Sequence, residues 1–349
     1  MLWGQVEERS IDLANQRQVG QVREFLAPFS LSFDGLVDYT VGFYRDGKLV
    51  ATGSRKGEVL RNIAVDESLQ GEGLTASVVS HLMKQASRQG LHHYFLFTKP
   101  STAAQFTALG FKEIARSEPH AVLLETGMGS VASYCKDLAN KAAILPKGNR
   151  AALVVNCNPF TLGHKAVIAK AAAENDAVIV FVVSEEGSLF PFSVRYRLVQ
   201  EGVREYKNVL VLPGGPYIIS AATFPAYFTR GDAAVAAQTR LDVTVFAHHI
   251  APALGVTRRY VGTEPYCAVT DAYNLAMMDI LPEYGVELRE MPRVMTGDKV
   301  ISASTVRELI KKDDWENLRE LVPETTYQYL ISEEAAEVIR RVKGSASRH

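Results

Sequence analysis

Apolar and polar positions alternate along the first third of the chain. The run VDYTVGFY is separated from a second such run by Asp46-Gly47, which is typical of a hairpin turn. VLRNIAV and HHYFLFT predict two further strands. Helical spacing predicts a helix over TASVVSHLMKQASRQG that ends at Gly90, and a short helix over TAAQFTALGF that ends at Gly110. These elements predict a mostly antiparallel sheet with helices packed on it.

Strands and helices alternate in the rest of the chain, after a helical stretch SVASYCKDLANKAAILP. Apolar runs predict strands at RAALVVNCN, AVIVFVVS, VLVLPG, RRYVGT and VELREMPRV. Helical patterns lie at GHKAVIAKAAAEN, SVRYRLVQEGVREY, AAVAAQTRLDVTVFAHHIAPALGV, AYNLAMMDILPEYG and SASTVRELIKKDDW. This alternation predicts a doubly wound parallel sheet, whose ligands bind at the carboxyl ends of the strands. NCNPFTLGH and TGDKVISASTVR both fall at such ends.

The change of pattern places a domain boundary near residues 130 to 145. We expect one domain over residues 1–135 and a second over residues 145–349 of the 349-residue chain. Hydrophobic residues make up 47% and charged residues 22%, as in ordinary globular proteins. The formal net charge of −1 provides no general basic field for nucleic acid, so any phosphate-binding charge must be local.

The cysteines and the N-terminal stretch indicate the cellular compartment in which we expect the protein. Cys135, Cys157 and Cys267 are widely spaced and form neither a disulfide framework nor a zinc pattern, which fits a reducing cytoplasm. The N-terminal stretch lacks the basic and then apolar order of a signal peptide. No stretch reaches the roughly 18 uninterrupted apolar residues of a membrane span. We therefore expect a cytoplasmic protein with no membrane partner.

The tetrad Thr161-Leu162-Gly163-His164 has the features of a phosphate site. Gly163 lets the backbone approach a ligand or a neighbouring strand. A helix start offers unpaired N–H groups and partial positive charge, and the Thr161 hydroxyl and the His164 ring would add donors to the same anion. The alternative is a capped turn with Thr161 as N-cap and His164 as a bystander, and the tetrad alone does not decide between the two.

A second helix start favours the phosphate hypothesis. ISASTVRELIKK places hydroxyls at Ser302, Ser304 and Thr305, and Arg307 on the first turn could grip phosphate oxygens bidentately. The alternative is a serine-rich N-cap with a solvated Arg307. Two phosphate-suited helix starts on one predicted α/β domain, each after a strand, are less common than one.

Four stretches together resemble the citrate lyase ligase family: NCNPFTLGH, FPFSVRYRLVQEGV, VGTEPYCAVTDAYNLAM and ISASTVREL, in this order. The resemblance covers residues from about 150 to 325. It places the second domain in the adenylyl/cytidylyltransferase superfamily, whose first motif is H-x-G-H or T-x-G-H. It implies a GNAT-like mixed sheet followed by a Rossmann-like doubly wound parallel sheet, an α+β domain and an α/β domain.

The resemblance also implies roles at the first helix start. Thr161 and His164 would contact the triphosphate and stabilise charge at the α-phosphorus. Thr161 stands where the wider superfamily has a first His, as it does within the ligase group. The nucleotide loop around this pair would be shaped by Asn156, Asn158, Phe160 and Gly163.

Further nucleotide-binding residues are implied along the domain. Arg195 could reach phosphate or carboxylate, or it could pair with Glu201 on a solvated helix face. Gly262 and Glu264 would lie beside the nucleoside. The β- and γ-phosphates would be held at the second helix start by Ser302, Ser304, Thr305 and Arg307.

Two other features have structural explanations. His248 and His249 lie in an apolar stretch without partner ligands at metal spacing, so a core or pocket-wall position is favoured over a metal site. Cys157 adjoins the loop, but adenylylation needs no enzyme thiol, which favours a small buried filler.

The implied reaction activates a carboxylate. Acetate would attack the α-phosphorus of ATP to give acetyl-AMP and pyrophosphate, and a thiol would then displace AMP. That thiol would belong to the CoA-like prosthetic group of the acyl-carrier subunit of citrate lyase, which the reaction would activate. The protein would position reactants and neutralise charge, with Mg²⁺ bridging phosphate oxygens and taking few protein ligands.

The first domain carries a loop with Gln70, Gly71 and Gly73 that looks like the pyrophosphate loop of GNAT acetyltransferases. Thr75 replaces the last small residue of that loop and adds bulk. We favour a fold that persists without acetyl transfer, and hypothesise that it docks the prosthetic arm of the partner.

Three rival functions share these features. The first is a nucleotidyltransferase with a phosphate or phosphopantetheine acceptor. The second is an active N-acetyltransferase with an appended nucleotide-sensing domain. The third is a non-catalytic module that senses ATP.

Overall fold

The computed structural model describes residues 6–220, 232–263, 268–293, 295–296 and 299–345. The chain divides into two compact units. The first comprises Met1–Tyr134 and Ala221–Asp242, and the second comprises Cys135–Ser220 and Val243–His349. The sequence pattern did not predict that Ala221–Asp242, described from residue 232, groups with the first unit. The limits 1–135 and 145–349 stay a prediction.

A seven-stranded sheet forms the centre of the first unit. Its strands are β1 (Glu7–Ser10), β2 (Tyr39–Arg45), β3 (Lys48–Lys56), β4 (Val59–Val65), β5 (His93–Thr98), β6 (Lys112–Ser117) and β7 (Ala121–Gly127). They lie in the order β1-β2-β3-β4-β5-β7-β6, and every neighbouring pair is antiparallel except β4 and β5. That parallel pair is joined at only two positions, Val59 with Phe95 and Leu60 with Leu96. The predicted, mostly antiparallel sheet is confirmed.

Helices of the first unit pack on this sheet: α1 (Gln16–Leu26), α2 (Leu74–Ser87) and α3 (Ala103–Thr107). The next helix along the chain, α4 (Val131–Ala142), begins in the first unit and ends in the second. The predicted apolar face of α2 is buried against β3, where a Cβ at Gly53 would lie 2.4 Å from a methyl carbon of Val78. Only a glycine allows this close approach of helix and strand.

The second unit is built on a five-stranded parallel sheet. Its strands are β8 (Arg150–Val155), β9 (Ala177–Val182), β10 (Val209–Pro213), β11 (Val256–Gly262) and β12 (Glu287–Met291). The order is β10-β9-β8-β11-β12, so the chain winds in opposite directions on either side of β8. This is the predicted Rossmann-like, doubly wound arrangement, and its switch point lies between β8 and β11. Every residue of β9 is buried, which explains its unbroken apolar sequence.

Helices follow the strands in the second unit, and the residues of α7 are divided between the two units. They are α5 (Leu162–Glu174), α6 (Phe192–Gly202), α7 (Asp232–Val245), α8 (Ala251–Leu254), α9 (Ala268–Ile280), α10 (Ala303–Lys311), α11 (Trp315–Arg319), α12 (Glu324–Leu330) and α13 (Ala336–Gly344). A π-helical turn, Phe246–Ile250, joins α7 to α8 within the predicted helical stretch. Two antiparallel strands of two residues each, β13 (Met295–Thr296) and β14 (Lys299–Val300), precede α10.

Candidate functional site

The starts of α5 and α10 lie side by side beyond the carboxyl end of β8. A guanidinium nitrogen of Arg307 donates a 2.6 Å hydrogen bond to the carbonyl oxygen of Asn158. A Cβ on Gly163 would stand 2.9 Å from the carbonyl oxygen of Ile301, the residue before the N-cap of α10. The structure therefore brings together the two segments predicted to bind phosphate, beside the switch point where doubly wound sheets bind ligands.

Thr161 and His164 form a reciprocal cap at the start of α5. The Thr161 hydroxyl accepts from the His164 backbone N–H at 3.4 Å, and Nδ1 of the His164 ring accepts from the Thr161 N–H at 3.1 Å. The hydroxyl also lies 2.9 Å from Nδ1. Because a backbone N–H can only donate, Nδ1 is unprotonated and the ring proton sits on Nε2. The cap thus leaves Nε2–H of His164 as the available donor.

His164 is neutral near pH 7. Burial lowers the pKa of its imidazole to about 4, and the positive charge of Arg293 adds to that shift. Its ring is stacked on Phe160, with centroids 6.0 Å apart and an interplanar angle of 17°. His164 is therefore a positioned hydrogen-bond donor rather than a cation.

The placement of Thr161 corrects one sequence expectation. Its side chain is only 1% exposed and its hydroxyl is bonded to Nδ1 of His164. This hydroxyl does not face solvent as a phosphate donor would. The capped turn is present, as the alternative interpretation had it, but His164 is no bystander because the cap sets its tautomer.

Arg293 is a feature that the sequence analysis missed. VELREMPRV was predicted as strand throughout, whereas β12 ends at Met291 and leaves Arg293 in the loop beyond the sheet. Its Nε donates to the carbonyl oxygen of Thr263 at 2.9 Å, and the Thr263 N–H donates to Met291 at 2.9 Å. Pro292 was the available signal, because a proline at that point favours the end of a strand.

The start of α10 carries three hydroxyls in one network. Ser302 is the N-cap, and its Oγ accepts from the Thr305 N–H at 3.1 Å. The same Oγ lies 2.8 Å from the hydroxyls of both Ser304 and Thr305. Ser304 is exposed and the other two are half-buried, so the cluster borders open space at the helix start.

The structure corrects both interpretations of Arg195. Its side chain is fully buried at 0% exposure, and burial lowers the pKa of its guanidinium. The guanidinium donates to four backbone carbonyls at 2.6–3.0 Å and to the Asn156 side-chain oxygen at 2.9 Å. It neither faces a phosphate nor pairs with Glu201 on a solvated face. It ties the loops after β8 and β9 to α6.

Arg307 is also buried, at 6% exposure, and burial lowers its pKa. This corrects the picture of a solvated side chain on the first turn. Its bond to Asn158 joins the α10 start to the loop after β8. A contact between Arg307 and a nucleotide stays a prediction.

The remaining loop residues have distinct placements. Phe160 is fully buried and packs so closely on α6 that a Cβ at Gly202 would lie 2.4 Å from its ring, so it supports His164 from inside the core. Asn158 is buried and accepts from the Phe190 N–H at 3.0 Å. Asn156 is exposed at the mouth of the loop.

Two predicted site residues lie at the end of β11. Gly262 is its exposed last residue. Glu264 lies outside the described residues.

The structure bears on the thiol and metal alternatives. Cys157 is 1% exposed, and burial raises the pKa of its thiol, so it is a core filler rather than a nucleophile. The rings of His248 and His249 stack on each other with centroids 4.5 Å apart. Within the described ranges, no cluster of three or more His, Cys, Asp or Glu side chains is arranged to hold a metal ion. Nor does any helix in those ranges combine the length and apolarity needed to cross a membrane.

Comparisons with known proteins identify relatives of this chain. Residues 150–330 match the model of the citrate lyase ligase C-terminal domain. The chain is 37% identical over 315 residues to the [citrate [pro-3S]-lyase] ligase of Klebsiella pneumoniae, covering 89% of this chain and 92% of that protein. It is 36% identical over 324 residues to the protein of that name from Haemophilus influenzae, covering 90% and 96%.

A solved structure described as a putative acyl-CoA N-acyltransferase from Klebsiella pneumoniae is also similar. It matches 36% of this chain and 99% of its own length, at 14% identity and a TM-score of 0.31. The family match covers more than half of the chain, and the two relatives are matched over nearly their full lengths. The chain belongs to the citrate lyase ligase family.

Proposed function

We propose that this chain is an ATP-dependent ligase that adenylylates acetate and passes the acetyl group to the prosthetic-group thiol of the citrate lyase acyl-carrier subunit. Family membership supports a ligase that acts on citrate lyase. The proposal rests on one observation: the starts of α5 and α10 meet beside the switch point between β8 and β11. Arg307 donates a hydrogen bond across the two starts, and Gly163 allows their close approach. Two adjacent helix starts suit a polyphosphate chain.

In the first step an acetate oxygen attacks the α-phosphorus of ATP, and pyrophosphate leaves. Negative charge grows on the α-phosphate oxygens during this displacement. The Nε2–H of His164 would donate to one of these oxygens, and the charge of Arg293 would add to the stabilisation. Thr161 acts indirectly, because its cap fixes the tautomer and orientation of that ring.

The β- and γ-phosphates would lie at the start of α10. The hydroxyls of Ser302, Ser304 and Thr305 can each turn to donate to phosphate oxygens. Mg²⁺ would enter as part of the MgATP substrate, held mainly by phosphate oxygens and water, as its hard-ligand preference favours. The cation would neutralise charge on the departing pyrophosphate.

In the second step a thiol loses its proton to water, its sulfur attacks the acetyl carbonyl carbon of acetyl-AMP to form a thioester, and AMP leaves with the bonding electron pair. The buried Cys157, with its raised pKa, is unsuited to this attack. The proposal therefore assigns the thiol to the partner's prosthetic group.

Acetate-dependent ATP–pyrophosphate exchange tests the proposed function. We expect labelled pyrophosphate to enter ATP only when acetate is present, because the exchange requires formation of acetyl-AMP. Exchange driven instead by a phosphopantetheine-containing product would indicate the rival nucleotidyltransferase. ATP binding without exchange would indicate a sensing module and would contradict the proposal.

The start of α2 is proposed to dock the CoA-like prosthetic arm. Gly71 and Gly73 have φ values of 88° and 80°, both are exposed, and an added Cβ at either would meet nothing within 4 Å. This exposed, glycine-rich start of a 14-residue helix suits the phosphates of such an arm. Gly73→Glu should slow acetyl transfer to the carrier and leave acetate-dependent exchange unchanged.

A matched control separates backbone strain from docking in that test. Gly110 also has a left-handed φ, 90°, and open space around it. Gly110→Glu should leave transfer at the wild-type rate. Equal transfer by the Gly73→Glu variant and the wild type would contradict the docking role.

A further inference from the structure

The first unit contains a polar cavity between β1, β2 and α2. Its volume is 310 Å³, room for roughly ten water molecules. Side chains of Glu8 on β1, Tyr39 on β2 and the outer part of α2 line it. None of these residues belongs to the site proposed for the nucleotide or for the prosthetic arm.

One face of α2 and its C-cap supplies the positive side of this cavity. His81, Lys84, Gln85 and Arg88 follow the spacing i, i+3, i+4 and i+7, which places them on one face of the helix. Lys84 and Arg88 are exposed like charges four residues apart, a pairing that costs free energy unless an anion lies between them. Among the described residues, no carboxylate lies within 4.0 Å of either cation.

A hydrogen-bonded chain orders the opposite side of the cavity. Nδ1 of His81 lies 2.8 Å from the Glu8 carboxylate, and Nε2 lies 2.8 Å from the Tyr39 hydroxyl. The rings of His81 and Tyr39 are stacked at 5.8 Å with a 9° interplanar angle. The Glu8 carboxylate therefore bonds to His81 rather than to Lys84 or Arg88. The bond to His81 also holds the Tyr39 hydroxyl at the cavity wall.

We propose that this cavity binds a small oxyanion, a carboxylate or a phosphate, through Lys84 and Arg88. The Gln85 amide supplies a neutral hydrogen-bond donor beside the two cations. The volume suits an anion of a few non-hydrogen atoms rather than a nucleotide. This site is independent of the proposed ligase reaction.

Calorimetric titration of the full chain tests the proposal. The probes are inorganic phosphate and, separately, succinate, so that the two sources of an oxyanion are distinguished. We expect one probe to bind the wild type, with Lys84→Gln and Arg88→Gln each weakening that binding about tenfold, because each removes one charge-assisted contact. Both side chains are exposed, so the substitutions should leave the fold intact.

Arg17→Gln is the matched control, because it removes an exposed cation of the first unit that lies outside the cavity. It should bind the probe as the wild type does. Acetate-dependent exchange should be unchanged in all three variants, which separates this site from the ligase reaction. Failure of both probes to bind the wild type, or wild-type affinity in the Lys84→Gln and Arg88→Gln variants, would overturn the proposal.

Discussion

At the level of single residues, the proposed mechanism depends on the position of one proton. The Thr161 N–H bonds to Nδ1 of His164, which leaves the proton on Nε2. Burial keeps the ring neutral. A neutral donor can stabilise developing charge at phosphorus without losing a proton during the reaction, as a preorganised dipole does.

Substitution of His164 should separate this donor role from a purely structural one. His164→Ala removes the donor, and we expect acetate-dependent exchange to fall about a hundredfold to a thousandfold. His164→Gln can place an amide N–H near the Nε2 position and should retain more activity than Ala. Rates of the two variants, with circular dichroism to verify folding, give the comparison. Equal rates in the Ala variant and the wild type would remove His164 from the mechanism.

The pH dependence of exchange should lack a histidine step near neutrality. The pKa of His164 is lowered from 6.5 to about 4, so the active neutral form persists as the pH falls through 6.5 and is lost only near pH 4. The ratio of wild-type to His164→Gln rates should therefore stay constant from about pH 6 to 8. A drop in that ratio with a midpoint near 6.5 would show that the ring titrates as an exposed histidine.

The sequence located the two helix starts that meet at the candidate site, but it could not show where their side chains are directed. The spacing of Thr161 and His164 located a capped helix start, but it could not show that the hydroxyl is directed at Nδ1. The family resemblance implied that Arg195 could reach phosphate or carboxylate, and helical spacing left pairing with Glu201 as the alternative. The buried Arg195 guanidinium bonds to carbonyls of the loops after β8 and β9, which no local pattern reveals.

At the scale of secondary-structure elements, the contact between the starts of α5 and α10 forms the candidate site. Gly163 has no Cβ to separate them, and Arg307 bonds across them. Both helices were predicted from their apolar periodicity and their caps. Their adjacency was expected only because strand ends of a parallel sheet share one edge.

Gly163→Ala should force these helix starts apart. The new methyl would stand 2.9 Å from the backbone oxygen of Ile301, which cannot move as a side chain end can. We expect a loss of about 1–3 kcal/mol in the free energy of unfolding, measured with urea, and a larger relative loss of exchange. Gly187→Ala is the control, since nothing lies within 4 Å of its added Cβ. Equal effects of the two substitutions would contradict the close contact.

Arg195→Met should weaken the second unit rather than remove a substrate contact. It leaves buried carbonyls without a donor, each costing about 1–3 kcal/mol, so the free energy of unfolding should fall by at least about 2 kcal/mol. Arg204→Met, at an exposed position just after α6, should change stability by less than about 0.5 kcal/mol. Urea unfolding compares the two. A fully stable Arg195→Met variant with raised KM for ATP would restore the phosphate role.

At the scale of the whole molecule, the order of strands decides where a ligand binds. The alternation of strands and helices predicted the doubly wound sheet, and the observed order places the T-x-G-H loop at the switch point. The helices α11, α12 and α13 were not predicted, although α13 carries Val338 and Val342 four residues apart on its buried face. The grouping of Ala221–Asp242 with the first unit depends on contacts distant in sequence, which pattern analysis does not reach.

A crystal structure of the chain with a non-hydrolysable ATP analogue tests the central claim most directly. The account predicts that the polyphosphate lies between the starts of α5 and α10, with Nε2 of His164 within about 3.2 Å of an α-phosphate oxygen. The hydroxyls of Ser302, Ser304 and Thr305 should face the outer phosphates. A nucleotide bound elsewhere, or one that touches a single helix start with His164 turned away, would contradict the account.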